Sequence, residues 1–230
     1  MDDKVAKQIA DTIIGQIFGL QNPYSLDEFK NKFAFDIRMT SDVTDTITGK
    51  TTWVQNSSGN KFINFQDMIQ RGDDMMRPTQ PLNSIEDIMR VWQEVNYTAA
   101  ERTINSVNVA KSDAIYGSQN IYQSIDMHDS KNVLFSETSL FCEYSAAIQR
   151  SNTCIYSLRV DDSNKVTKSF QVSWSGNITN SFFIKDSKNL SDCMFCSQIT
   201  DRRFCIGNMQ FEEAEYRKWE KLVKEWILSN

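Results

Sequence analysis

Residues 151–186 read SNTCIYSLRVDD, SNKVTKSFQVSW and SGNITNSFFIKD: three successive twelves, each opening on serine with a second serine at position 7. Positions 4 and 10 are apolar: Cys154, Val160, Val166, Val172, Ile178 and Ile184. The pattern extends back to Ser106 and forward to about Gln210. Position 1 is Ser106, Ser118, Ser130, Ser139, Ser151, Ser163, Ser175 and Ser187, and position 7 runs from Ser112 to Ser181 before becoming Cys193 and Cys205. A small or apolar side chain at every third residue fits neither a helix, which alternates 3 and 4, nor a plain strand, which repeats at 2. It predicts a mainly β chain built around a parallel β-solenoid of about 12 residues per coil, with positions 1, 4, 7 and 10 pointing inward. A fixed period means one unit stacked on itself, and such units present surfaces more often than reaction centres.

Asparagine sets the coil length. Asn108, Asn120, Asn132, Asn177 and Asn189 all fall at position 3, and the equivalent position 9 never carries one. A coil of 12 is expected to stack them in a single column, where a three-sided coil of 18 would scatter them; a coil of 24 also keeps them together. Asparagine tolerates left-handed backbone angles, so the column reads as turn-forming. The pattern resembles the twelve-residue solenoid of insect antifreeze proteins. One line, SKNVLFSET over residues 130–138, has nine residues and predicts a local kink or bulge. Outside the core, position 8 forms an apolar stripe of Leu158, Phe170, Phe182, Met194 and Ile206, with Phe183 and Phe195 beside it. Such a row exceeds what a soluble monomer leaves bare. It is expected to be an interface, covered by the N-terminal unit, the C-terminal helix or another subunit.

The flanks divide the chain into a small α+β region (1–105), the solenoid (106–210) and a C-terminal amphipathic helix (211–230). Residues 3–20 fit a helix with Val5, Ile9, Ile13 and Ile17 on one face, and Ser25 with Glu28 predicts a capped second helix. Residues 34–54 alternate as a hairpin turning at Thr48-Gly49-Lys50, and residues 84–102 fit a third helix leading into the first coil. In FEEAEYRKWEKLVKEWIL (211–228), Tyr216, Trp219, Val223, Trp226 and Ile227 follow a 3–4 spacing, so the two tryptophans are expected to be buried, against the solenoid end or a partner.

Net charge is −5 over 230 residues, with no basic run to suit a nucleic-acid backbone and no apolar stretch of the roughly 20 residues a membrane span needs. The N-terminus lacks the basic start of a signal peptide, so the expected origin is a reducing cytoplasm. All five cysteines lie in the repeat. Cys193, Cys196 and Cys205 form C-x2-C-x8-C, a fragment of a zinc site without its fourth ligand; the expectation is small buried hydrophobes and no cofactor. His128 is the only histidine. Gly49-Lys50-Thr51 lacks the glycine of a phosphate-binding loop, since position 44 is Thr44. Gln66, Asp67, Asp73 and Asp74, near Arg71 and Arg77, read as a solvated loop.

Phe204-Cys205-Ile206-Gly207-Asn208-Met209-Gln210-Phe211, followed by Glu215-Tyr216, resembles a motif of uncharacterised proteins from tailed phages and candidate-phylum bacteria. There it reads approximately Y-C-I-x-N-K-Q-Y and then E-E-Y, after a serine-, asparagine- and cysteine-rich repeat. Here Phe204 and Phe211 replace tyrosines, Met209 a lysine and Ala214 a glutamate. The resemblance covers about the C-terminal third and carries no activity with it; it implies a phage or phage-like source. The expected function is therefore a non-enzymatic structural or assembly protein of a virion, made in the host cytoplasm and partnered by other virion subunits or by itself. The interface residues are expected to be the position-8 stripe with Trp219 and Trp226. The alternative is a hexapeptide-repeat acyltransferase-like enzyme using His128, and an ice-binding array is set aside because Thr167 and Thr179 stand alone.

Overall fold

The computed structural model describes residues 1–229, except for the side chains of Asp73 and Asp74, so the reading of those two carboxylates lies outside the described residues. Short strands from Thr103 onward wind into a parallel solenoid of about nine turns. Each coil pairs with the next at an offset of twelve: Val166 with Ile178, Phe170 with Phe182, Val172 with Ile184. Every third residue from Asn105 to Phe204 is left-handed, with φ between +42° and +60° wherever it is not glycine. Four such bends per coil turn the chain through a closed four-cornered loop. The residue after each bend points inward: Val133, Cys154, Val166, Ile178 and Ser181 are all fully buried.

The nine-residue line produces no kink. Lys131 pairs with Glu143 and Glu137 with Gln149, so the coil keeps its twelve residues through this region. What changes is the side-chain content of the four inward columns. Ser106, Ser118 and Ser130 are followed in their own column by Cys142, Cys154, Val166, Ile178 and Leu190. The Ser112–Ser124–Ser136 column continues as Ile148, Val160, Val172, Ile184 and Cys196. The two columns that begin apolar, with Ile121 and Val133 or Ile115 and Met127, become serine columns. Coils on either side of the slip, such as Ser118–Ile121–Ser124–Met127 and Ser151–Cys154–Ser157–Val160, set two larger side chains across the axis with serines at the other two corners; at the slip the coil Ser130–Val133–Ser136–Ser139 holds three serines and one valine, and beyond it the pattern has rotated by a quarter turn. The asparagines accordingly form two columns rather than one: Asn108–Asn120–Asn132, and Asn177–Asn189–Asp201.

Serine occupies its corners for a specific reason. The hydroxyl of Ser163 donates to the carbonyl of Asp161 at 2.8 Å and accepts the backbone N–H of Ser175 at 3.0 Å, one coil on. Ser118, Ser124, Ser175 and Ser181 make the same pair of bonds. Each serine satisfies a buried backbone donor that the strand ladder does not reach.

The chain ends its coils at residues 204–211. Arg202 enters an inward column but stands exposed. Gly207 and Asn208, both left-handed, reverse the strand so that Cys205 pairs with Gln210 antiparallel. The Asn208 side-chain amide bonds both the N–H and the carbonyl of Ser197. The stretch from Phe204 to Phe211 is thus the hairpin that closes the last coil edge, which would otherwise be a template for further pairing.

At the other end, α1 (Asp3–Phe18) is capped by Asp2, and α2 (Leu26–Phe33) carries the Ser25–Glu28 capping box. An antiparallel hairpin, β1 (Ser41–Thr44) and β2 (Thr51–Val54), turns at left-handed Gly49. Buried Asp45 organises that turn: its carboxylate accepts the N–H groups of Ile47, Thr48 and Asn64. There follow β3 (Phe62–Asn64), α3 (Phe65–Arg71), α4 (Ile85–Val95) and β4 (Thr98–Ala100), which pairs parallel with β3. The third predicted helix therefore stops seven residues early, because residues 98–100 pair with β3 instead. The lobe is fixed to the first coils by Asp113, whose buried carboxylate accepts the Gln55 and Arg102 N–H groups and the Arg102 guanidinium.

Candidate functional site

The apolar stripe is longer than the repeat register suggested. Because the coil length never changes, Leu158, Phe170, Phe182, Met194 and Ile206 continue a column that begins at Ala110, Tyr122, Leu134 and Ala146. The serine pattern slips by three residues at Ser139, which puts Ala110, Tyr122 and Leu134 at position 5 and Ala146 onward at position 8. This column is covered within the chain. Ile9, Ile13, Ile14, Ile17 and Phe18 of α1, Phe29 and Phe33 of α2, and Tyr216, Ile227 and Leu228 of α5 (Glu213–Ser229) join it in one core. Phe18 lies 5.7 Å from Phe170 and 6.0 Å from Phe182, ring to ring. Leu158, Phe170, Phe182 and Met194 are buried and Ile206 is half-buried, so of the covers expected for this stripe α1 and α2 of the N-terminal unit and the C-terminal α5 supply it.

The inward face of α5 differs from the expected one. Tyr216, Glu220, Val223 and Ile227 face the solenoid, while Trp219 and Trp226 stand about half exposed. Glu220 displaces Trp219 from the buried face because its charge is matched there. Its carboxylate accepts from Arg217 at 2.8 Å and Lys224 at 2.9 Å, and Arg217 also bonds Asp192, which takes further bonds from Asn180, Ser191 and Arg203. Burial opposes ionisation of both carboxylates, but these bonds outweigh it and hold Asp192 and Glu220 below their usual values. The sequence showed these charges but not their convergence, since Asp192, Arg203 and Arg217 meet only after coiling and helix docking.

Beside α5 a concave groove opens on the solenoid, with a volume of about 350 Å³. Phe33, Phe35, Phe170, Phe183 and Trp226 wall it, with Lys32 and Arg159 at its rim. Arg159 forms paired 2.9 Å bonds to Asp36 and lies 4.5 Å below the ring of Phe35, which is 71% exposed. Phe183 and Phe195 stack at 4.6 Å and extend the aromatic wall along the coils. Of the residues singled out from sequence, Phe170, Phe183, Phe195, Trp226 and Ile227 belong to this region; the segment carrying Phe33 and Phe35 and the coil carrying Arg159 are brought together by packing.

The cysteines sit inside the coils. The Sγ of Cys193 approaches the Ser191 carbonyl at 3.4 Å, that of Cys196 the Met194 carbonyl at 3.2 Å, and that of Cys205 the Arg203 carbonyl at 3.8 Å. A hydrogen bond from Cys193 draws the Cys196 thiol down to about 7 and, with burial, pushes Cys193 up. Among the described residues no three His, Cys, Asp or Glu side chains converge as metal ligands. His128 stacks on Tyr116 at 4.8 Å and bonds Asp126 at 3.2 Å on the outer surface. No helix of the described residues is long and apolar enough to cross a membrane. No protein family, curated protein or solved structure matches this chain.

Proposed function

We propose that the chain is a non-enzymatic structural protein, an assembly component of a phage virion that uses its rigid solenoid as a docking surface. The observation that carries this reading is the uninterrupted coil. Its backbone is bonded from turn to turn over residues 103–206, one outer column is taken up by the chain's own helices, and the aromatic groove beside α5 stays open. Such a body is stiff along its axis, because bending it would break coil-to-coil hydrogen bonds. The phage assignment rests on the hairpin motif at residues 204–211. Mass spectrometry of gradient-purified particles from the source organism tests it. Peptides of this chain at fixed stoichiometry with capsid or tail proteins are expected, and their absence from particles in an infected culture that expresses the chain would overturn it.

The acyltransferase alternative has less support. Those enzymes repeat in coils of 18, whereas the coil here holds 12, and the His128 ring is engaged by Tyr116 and Asp126. Saturable binding of acetyl-coenzyme A by the full chain would revive it.

A further inference from the structure

We propose that the outward face of α4 is a self-association surface that packs against α4 of a second copy. This deepens the assembly reading by naming a partner, and its test does not depend on where the protein resides.

The sequence of α4, IEDIMRVWQEV, places Ile85, Ile88, Met89 and Trp92 at the i, i+3, i+4, i+7 spacing of one helical face. Among the described residues that face joins none of the buried cores. The four side chains are 68%, 47%, 50% and 53% exposed, and the helix buries no residue at all. Met76 and Leu82, in the segment leading into α4, are 78% and 49% exposed. Helices of 11 residues are marginal in water and take their stability from packing of the apolar face. The four α4 side chains at this exposure present several hundred Å², a substantial share of the ~800 Å² per partner that a stable interface buries. A patch of this size marks an interaction site.

Charge selects the occupant. A two-fold interface brings each patch against itself, so it must carry no unbalanced charge at its centre. The α4 face has none. The charges around it are largely paired within the chain: Arg90 bonds Asp87 at 3.1 Å and Arg77 bonds Glu94 at 2.6 Å. Two copies can therefore meet without like-charge repulsion, even though each carries a net charge of −5. An anionic lipid surface fits poorly, because the polar side of α4 offers Glu86, Asp87 and Glu94 against the single cation Arg90.

Sedimentation equilibrium of the full chain over a range of concentrations tests the proposal. A reversible dimer of twice the 26.6 kDa chain mass is expected. Ile88→Lys combined with Trp92→Lys should weaken it by more than about tenfold while leaving the melting temperature of the solenoid unchanged. Ile85→Ser, a milder change on the same face, should weaken it in the same direction and keeps the test readable if the lysine variant misfolds. A wild-type chain that stays monomeric, a lysine variant that dimerises as well as wild type, or a monomer that instead floats with phosphatidylglycerol vesicles each overturns the proposal. A monomer found in purified particles would remove self-association and leave the docking reading standing.

Discussion

The hydroxyl of Ser136 accepts the backbone N–H of Ile148 at 3.1 Å, and between these two residues a serine column becomes an apolar one. Ser136 donates in turn to the Leu134 carbonyl at 2.8 Å, so the corner remains fully bonded on the serine side. From Ile148 upward the same corner is filled by hydrocarbon. The neighbouring columns change in the opposite sense within the same stretch, so two large and two small side chains are restored from Ser139–Cys142–Ser145–Ile148 onward, and only the coil Ser130–Val133–Ser136–Ser139 carries three small ones.

Ser163→Ala should destabilise by about 1–3 kcal/mol, since it strands the buried N–H of Ser175 and frees the Asp161 carbonyl. In a chain of this size that corresponds to a melting point lower by about 2–4 °C per kcal/mol. Ser163→Cys should be milder, because Cys193 already occupies a serine column with its Sγ on the Ser191 carbonyl. Differential scanning calorimetry of the two variants checks the order; an alanine variant as stable as wild type would remove the role assigned to the hydroxyls.

Val166→Asp should abolish folding of the solenoid. Val166 is fully buried in a core one side chain deep, and an unpaired carboxylate there costs several kcal/mol. Val166→Ser should fold, losing about 2 kcal/mol of packing, because Ser106, Ser118 and Ser130 occupy the same column lower down. Far-ultraviolet circular dichroism and urea melts separate the two outcomes, and equal behaviour of both variants contradicts the column assignment.

Tyr216→Phe should leave stability unchanged or raise it by up to about 1–2 kcal/mol. The Tyr216 ring packs 5.5 Å from Phe204, but its buried hydroxyl has no hydrogen-bond partner among the described residues. Deleting an unsatisfied polar atom while retaining the ring removes only the penalty. A clear drop in melting temperature would mean that the hydroxyl has a partner.

The docking of α5 should weaken in acid. Asp192 and Glu220 are held below their ordinary values of 3.8 and 4.5, so their contribution is complete above about pH 4.5 and is lost as pH falls below that range and they protonate. Trp226, 6.0 Å from Phe183, supplies a fluorescence readout. Asp192→Asn together with Glu220→Gln should flatten the transition below about pH 4.5. An unchanged acid transition in that variant places the titrating groups elsewhere.

Much of this architecture was legible in the chain. The alternation of Ser151, Cys154, Ser157 and Val160 named the inward residues, because only a left-handed bend at every third residue turns all of them to one axis. Ser25 with Glu28 and the apolar spacing of Ile9, Ile13 and Ile17 located the first two helices, since capping and amphipathicity are local. The groove was not legible. The pair Phe33 and Phe35, Arg159 and Trp226 come from three distant stretches of sequence, and their approach depends on which outer column α1, α2 and α5 select. The half-exposed Trp219 was misread for the same reason: its neighbour Glu220 becomes the better buried residue only once Arg217 and Lys224 close around it.

The sequence by itself determined the coil: its period, its inward residues and the residue types at its corners, all consequences of side-chain size and local backbone preference. The tertiary structure alone decided how the nine-residue line is absorbed and what covers the apolar column from Ala110 to Ile206. Coil stacking is enforced by backbone hydrogen bonds between strands paired at an offset of twelve, and these count residues rather than side chains. A slip of three in the serine pattern therefore rotates the core by a quarter turn and leaves the outer column straight for the helices to cover.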